Sequence, residues 1–314
     1  MVKLGCVTLD TSHPKSFAFH MANQCMAMKY TYVWDKNFRA PEELQWFANK
    51  YDLEVCDDLA DMAKKVDITL IQTTNWEKRI EHAMPFIEAG TPVFMDKPIV
   101  GSVKDVAKIR ELVAGGAKIY GSSAARYCEE VQNFINEPVE TRGEILAIFG
   151  TAGNNEFDYC VHIVEAMSAL AGAKVVSGKY VGTSETKDGK SCQVHSIKFD
   201  NGIIGTYYSA IGRWSPFHIT VMTTKQTRSF VIDTTKIYLP MLKEICRQIA
   251  DGKSSLVDVE PILNCTEVML CCKKSRDEMN GAEVTIDQLD ENDKFDGYAH
   301  EADYAAKAAP IYKD

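Results

Sequence analysis

No Cys-x-x-Cys pair occurs among the ten cysteines of this 314-residue chain, and only Cys271 and Cys272 are adjacent. Thiols scattered this way argue against a disulfide framework or a zinc ribbon and suit the reduced state of a cytoplasm. A dense Lys/Arg stripe is also missing, and the formal charge is -9, which argues against a nucleic-acid partner. No apolar run approaches the roughly 20 residues of a membrane span. The opening Met1-Val2-Lys3-Leu4-Gly5-Cys6-Val7 is too short for a secretion signal and reads as a first strand. Repeats, low-complexity tracts and flexible linkers are absent too. What remains is a globular composition, 46% hydrophobic, in a chain long enough for two domains, because single cores seldom grow past about 250–300 residues. A cytoplasmic protein that binds a small molecule is expected.

The first 122 residues alternate strand and helix signals. Short apolar runs at Leu4 to Leu9, Tyr30 to Trp34, Val55, Ile68 to Gln72, Pro92 to Met95 and Lys118 to Gly121 read as strands. Between them, helix patterns cover Pro14 to Met28, Pro41 to Tyr51, Asp58 to Lys65, a stretch ending at Ala89-Gly90, and Val103 to Val113. Such alternation implies a parallel sheet with right-handed crossovers. From residue 123 the pattern changes. A helix is predicted over Ala125 to Asn136, a strand around Ile145 to Phe149, and a helix from an Asn154 or Asn155 cap to Leu170, with Gly172 just past its end. Strand-like runs follow at Val175 to Thr183, Gln193 to Phe199, Ile203 to Ala210, Phe217 to Thr223 and Arg228 to Asp233, and Asp200-Asn201-Gly202 makes a hairpin turn. This half reads as α+β with an antiparallel sheet, and Tyr298 to Lys307 as an alanine-rich helix. The division is 1–122 and 123–314.

Two stretches carry chemistry. Val93-Phe94-Met95-Asp96-Lys97-Pro98 ends an apolar strand in an acid, a lysine and a proline. In open α/β sheets ligands bind at the carboxyl ends of strands, so a lysine there is a candidate site residue as well as a turn lysine. Asp158 and His162 lie four apart on one helical face. Removing hydride from an alcohol carbon requires loss of the hydroxyl proton, and an imidazole is poised to take it. The bland alternative is a capped helix start with a half-buried histidine. A metal reading lacks a third ligand at suitable spacing. Asp35 ends the second strand, where a carboxylate can accept the ribose hydroxyls of NAD and repel a 2′-phosphate; Lys36 and Arg39 leave NADP open. The loop after the first strand, Thr8-Leu9-Asp10-Thr11-Ser12-His13-Pro14, has no glycine, and Asp10 brings charge of the wrong sign for a phosphate. Asp10, Thr11 or Ser12 can instead cap the helix, and His13 or Lys15 can offset the charge.

Taken in order, the Asp35 strand end, Ile68 to Gln72 with Thr73-Thr74-Asn75, Glu88-Ala89-Gly90, Asp96-Lys97-Pro98, Asp158-Tyr159-Cys160-Val161-His162-Ile163-Val164-Glu165 and Phe199-Asp200-Asn201-Gly202 resemble the glucose–fructose oxidoreductase, inositol dehydrogenase and MocA (Gfo/Idh/MocA) family, over roughly Val2 to Leu289. The resemblance implies an α/β fold: an N-terminal Rossmann-like parallel sheet plus a C-terminal α+β domain with a large open, mainly antiparallel sheet. It implies NAD(P)-linked redox chemistry on a sugar, polyol or related molecule, a cis bond before Pro98, and pairing of the large sheets in a homodimer or homotetramer. In roles, it implies Lys97, Asp158 and His162 as catalytic. Asp10, Thr11, Ser12, His13, Asp35, Lys36, Thr73, Thr74, Asn75, Asp96 and Lys97 would face the cofactor, and Arg126 and Tyr127 the substrate, although a packing pair at a helix start explains the last two equally well. The family's helix glycine is Cys160 here, its final acid is Glu165, read as structural, and Lys78 replaces a common histidine. The rival is a non-redox member: a lyase or hydrolase holding NAD tightly, or a cofactor-poor metabolite sensor.

Overall fold

The computed structural model describes residues 1–24, 26–36 and 38–311. Six strands, β1 (Val2–Val7), β2 (Met28–Trp34), β3 (Glu54–Val55), β4 (Ile68–Ile71), β5 (Val93–Asp96) and β6 (Ile119–Ser122), form one sheet in the order β3-β2-β1-β4-β5-β6. Every pairing in it is parallel. All of β4 and β5 is buried, as expected of strands covered on both faces and written as continuous apolar runs. Helices α1 (His13–Asn23), α2 (Pro41–Tyr51), α3 (Leu59–Ala63), α4 (Arg79–Glu88) and α5 (Val103–Ala114) make the crossovers. Helix α1 stops at Asn23, short of the predicted Met28, because Met28 opens β2; Cys25 lies outside the described residues.

The second half differs from expectation at its start. A 3-10 turn over Ala124–Tyr127 precedes α6 (Glu129–Asn136), since Cys128 is extended and Ser123 Oγ takes the Ala125 N–H, which interrupts the continuous helix read from the pattern. A short α7 (Val139–Arg142) leads to β7 (Ile145–Asn154), twice the predicted length, and α8 (Glu156–Ala171). Asn155 caps α8 by accepting the Phe157 and Asp158 N–H groups, and Gly172 closes it at φ 59°. Strands β8 (Val175–Glu185), β9 (Ser191–Phe199), β10 (Ile204–Ile211), β11 (His218–Thr223), β12 (Thr227–Val231) and β13 (Val284–Thr285) complete a seven-stranded sheet in the order β12-β11-β7-β10-β9-β8-β13. Its pairings are antiparallel except β7 with β10, which run parallel. Helix α8 lies on one face of this sheet, so close that a Cβ at Gly150 would sit 2.3 Å from Ile163.

Helices α9 (Tyr238–Asp251), α10 (Val259–Asp277) and α11 (Gly297–Lys307) follow β12. Helix α10 bridges the two halves. Val259, Ile262 and Leu263 join the apolar cluster of α4 and α5, while Arg110 on α5 pairs with Glu260 at 2.6 Å and Glu267 at 2.7 Å. Among the described residues no helix is long and apolar enough to cross a membrane, and the described cysteines are free thiols.

Candidate active site

Lys97 and Asp158, sixty-one residues apart, meet between the two sheets: the Lys97 ammonium donates to Asp158 Oδ1 at 2.9 Å and to the Asp158 carbonyl at 3.1 Å. Both are nearly fully buried, and the ammonium also lies over the Tyr159 ring. The Lys97–Pro98 peptide is cis. Burial pushes the Asp158 carboxyl up, but the Lys97 charge, with help from His300 and His162, outweighs it and holds Asp158 well below the carboxylate range.

His162 stands one turn further along α8, buried, with Nδ1 2.5 Å from Ser123 Oγ and its ring against Phe217. Burial, reinforced by the Lys97 and His13 charges, drives its pKa well below 6.5. The imidazole is therefore neutral. Which of Nδ1 and the Ser123 hydroxyl donates depends on the tautomer; with the proton on Nδ1, Nε2 is the ring's acceptor.

Asp96 is held from both sides. Its Oδ1 accepts the Lys97 N–H at 2.8 Å and its Oδ2 lies 2.5 Å from His13 Nδ1. Burial would raise it, and His13, Lys97 and Arg79 outweigh that and keep it ionised. The sequence reading missed Arg79. This arginine is buried, donates to the carbonyls of Thr73, Lys97, Asp96 and Pro98, and so ties the loop after β4 to the turn after β5. An arginine opening a helix after a polar loop was its only signal. Ser123, missed as well, gave no sequence signal beyond its place after β6.

The first loop is packed shut. Asp10 is buried, its Oδ2 accepts the Thr74 N–H at 2.8 Å, and its Oδ1 has no partner. Burial moves its pKa up to about 7. Thr8 takes a left-handed φ of 68°, a conformation glycine would adopt without strain. Of the three candidate caps only Thr11 acts as one, accepting the His13 N–H at 3.2 Å; Ser12 sits at the cap position without a side-chain bond, and Asp10 turns to Thr74. His13 pairs with Asp96. Asp35 accepts the Leu9 and Arg39 N–H groups at 3.4 and 3.3 Å, long bonds that leave carboxylate lone pairs free, and burial raises it to about 6. Lys36 is exposed beside the Trp34 ring. Thr73 bonds His82 at 2.7 Å, and Asn75 caps the turn at Trp76 through the Glu77 N–H.

Arg126 and Tyr127 both have partners within the fold. The Arg126 guanidinium bonds Ser168 at 3.2 Å beside Glu165, and the Tyr127 hydroxyl accepts the Val257 N–H. Their contacts favour the packing-pair alternative. Glu165 is fully buried and accepts the Ser123 N–H, so it braces the segment that orients His162.

A parallel doubly wound sheet and an open mixed sheet thus bring a lysine, a carboxylate and an imidazole together beside the end of β5. Residues 12–122 match the oxidoreductase family with an NAD-binding Rossmann fold, Gfo/Idh/MocA. This match spans about a third of the chain and lies within the stretch whose motifs resemble the same family. No curated protein matches the chain. Among solved structures, apo scyllo-inositol dehydrogenase from Lactobacillus casei superposes with a TM-score of 0.78 at 14% identity, covering 91% of this chain and 98% of that one. Myo-inositol dehydrogenase from the same organism, in complex with NAD(H) and myo-inositol, gives 0.78 at 11% identity, with 95% and 99% covered. A probable dehydrogenase from Thermotoga maritima gives 0.77 at 16%, with 92% and 100% covered. At these identities the likeness is one of fold.

Proposed function

We propose that the protein is an NAD-dependent dehydrogenase or reductase acting on a hydroxyl carbon of a polyol, sugar or related small molecule. The observation that carries this is the buried Lys97–Asp158 pair beside a neutral His162, at the strand ends of a domain that matches an NAD-binding oxidoreductase family. The residues fit a dinucleotide at its two ends. Asp35 keeps lone pairs for a ribose, and the Thr73-Thr74-Asn75 loop with Asp96 and Lys97 borders the reacting end. Between them, the unpartnered Oδ1 of Asp10, on a carboxyl whose pKa is about 7, can donate a proton to a phosphate oxygen when neutral.

A bound nicotinamide supplies the acceptor for the hydride leaving the carbinol carbon. The chain supplies the rest. Lys97 donates to the substrate oxygen and stabilises negative charge as it builds there. His162, neutral at physiological pH, takes the hydroxyl proton on Nε2 while Ser123 holds the ring. Asp158 fixes the ammonium in position. A carboxylate rather than a cation at the second strand end favours NAD over NADP. The glycine-free loop favours a second reading, a metabolite-binding member without redox turnover. Calorimetry with NAD and NADP, followed by a polyol and sugar screen monitored at the nicotinamide absorbance, separates the two. Binding of neither nucleotide removes the dehydrogenase reading, and tighter binding of NADP transfers the selection to Lys36 and Arg39.

A further inference from the structure

The last helix and the residues after it run along the carboxyl edge of the parallel sheet. Gly297 N donates to Glu77 at 2.9 Å, and a Cβ at Gly297 would lie 2.3 Å from Asn75 Oδ1. His300 stacks on Trp76 at 4.8 Å. Glu301 accepts from Lys78 at 2.8 Å and from Asn75 at 3.1 Å. Tyr304 approaches Phe38, and its hydroxyl feels the charges of Asp158, Arg39 and Asp10. Arg39 then donates to the Ala309 carbonyl at 2.9 Å, and Ile311, buried, donates its N–H to Glu43 at 2.6 Å. The segment thus passes from the end of β4, by Asp10 after β1, to the loop after β2. These strands are neighbours in the order β2-β1-β4, and this edge is where an extended dinucleotide lies in such folds.

We infer that residues 297–311 are a strap lying along the dinucleotide track, which must leave it before the cofactor can bind; the inference rests on the NAD reading above. Three features support displacement over a permanent wall. Of helix α11 only Gly297 is buried, so little apolar area holds it down. Apart from Ile311, the Trp76 stack and the ring contacts of Tyr304 with Phe38 and Tyr298 with Lys78, its anchors are hydrogen bonds and ion pairs that water or a ligand can replace. Its carboxylate at Glu301 satisfies Lys78 and Asn75, donors an anionic ligand would use. Arg39 also clamps the first loop, through the Leu9 and Asp10 carbonyls, and the strap through Ala309, so the loop and the strap are held by one side chain.

Hydrogen exchange on the full chain, with and without saturating NAD, tests this alongside calorimetric NAD affinity of the wild type, Ile311→Asp and Glu301→Gln. A docked strap taxes the apparent affinity by the fraction of molecules in which it is released. Protection of amides 300–311 should fall on adding NAD, and both variants should bind NAD more tightly, Ile311→Asp by on the order of tenfold. Glu301→Gln, a partly buried change that keeps the side chain's size, serves if Ile311→Asp misfolds. NAD binding that leaves the segment equally or better protected, or variants that bind no more tightly, would make it a fixed wall and overturn the strap while leaving the dehydrogenase reading intact. No binding of NAD to any of the three overturns both.

Discussion

Replacing Lys97 by Ala is the sharpest perturbation of the proposed chemistry, because it has two separable consequences. The first is kinetic. A positioned group that stabilises charge on a reacting oxygen contributes on the order of 10²–10⁴ in rate, so turnover should fall by that factor while NAD affinity changes little. The second is structural. The Lys97–Asp158 pair is nearly fully buried at 2.9 Å. Removing one member of a buried pair costs about 3–5 kcal/mol, because the remaining charge stays desolvated. The loss should depend on pH in a defined direction. Wild-type Asp158 sits below its ordinary 3.8, so the stability it contributes is present above that value and fades as pH falls through the folded pKa. In the variant the carboxyl rises, so the stability gap to wild type should be largest at neutral pH and shrink in acid. Adding Asp158→Asn to Lys97→Ala removes the orphaned charge and should recover most of the stability and none of the turnover. Urea unfolding at several pH values and steady-state rates on a substrate from the polyol screen measure both. A Lys97→Ala variant with near-wild-type turnover would refute the site. One with unchanged stability at neutral pH would refute the account of the pair.

Other outcomes follow from the same geometry. Because burial holds His162 well below 6.5, kcat/KM should show no break near pH 6.5 from this residue, and a titration there that disappears in His162→Ala would contradict the neutral-base assignment. Asp10 has a raised pKa of about 7, so its burial destabilises the fold progressively as pH climbs from 3.8 to 7; Asp10→Asn, which keeps an acceptor for the Thr74 N–H, should stabilise the protein at pH 8 by a few kcal/mol, about 4 at most, and strengthen NAD binding there. A thermal melt that moves down instead would show that the charge is compensated. On the open sheet, Leu146, Phe149, Ile204, Tyr208 and Met222 expose apolar surface. We expect this face to pair with a second copy, so light scattering should give at least a dimer and Ile204→Asp should dissociate it; a monomeric wild type at micromolar concentration would sink the idea.

Much of the candidate site's local geometry was legible in the chain because its signals are local. The apolar run into Asp96-Lys97-Pro98 is a buried parallel strand meeting a turn, and a strand of that kind needs no partner to be recognised. Asp158 and His162 share a helical face by their spacing alone. Asp200-Asn201-Gly202 turns a hairpin because Gly202 can take a φ of 87°. What tertiary structure decided was every partnership across sequence distance. The parallel contact of β7 with β10, in a sheet otherwise antiparallel, joins strands about fifty residues apart in the chain. Ser123 reaches His162, His13 reaches Asp96, and Arg79 gathers four carbonyls only because separate crossovers deliver them to the same strand ends. Arg126 and Tyr127 meet Ser168 and Val257, partners that order along the chain does not reveal. Residues 297–311 read in the sequence only as an alanine-rich helix, because periodicity reports which residues turn together and carries no information on which distant edge they come to cover.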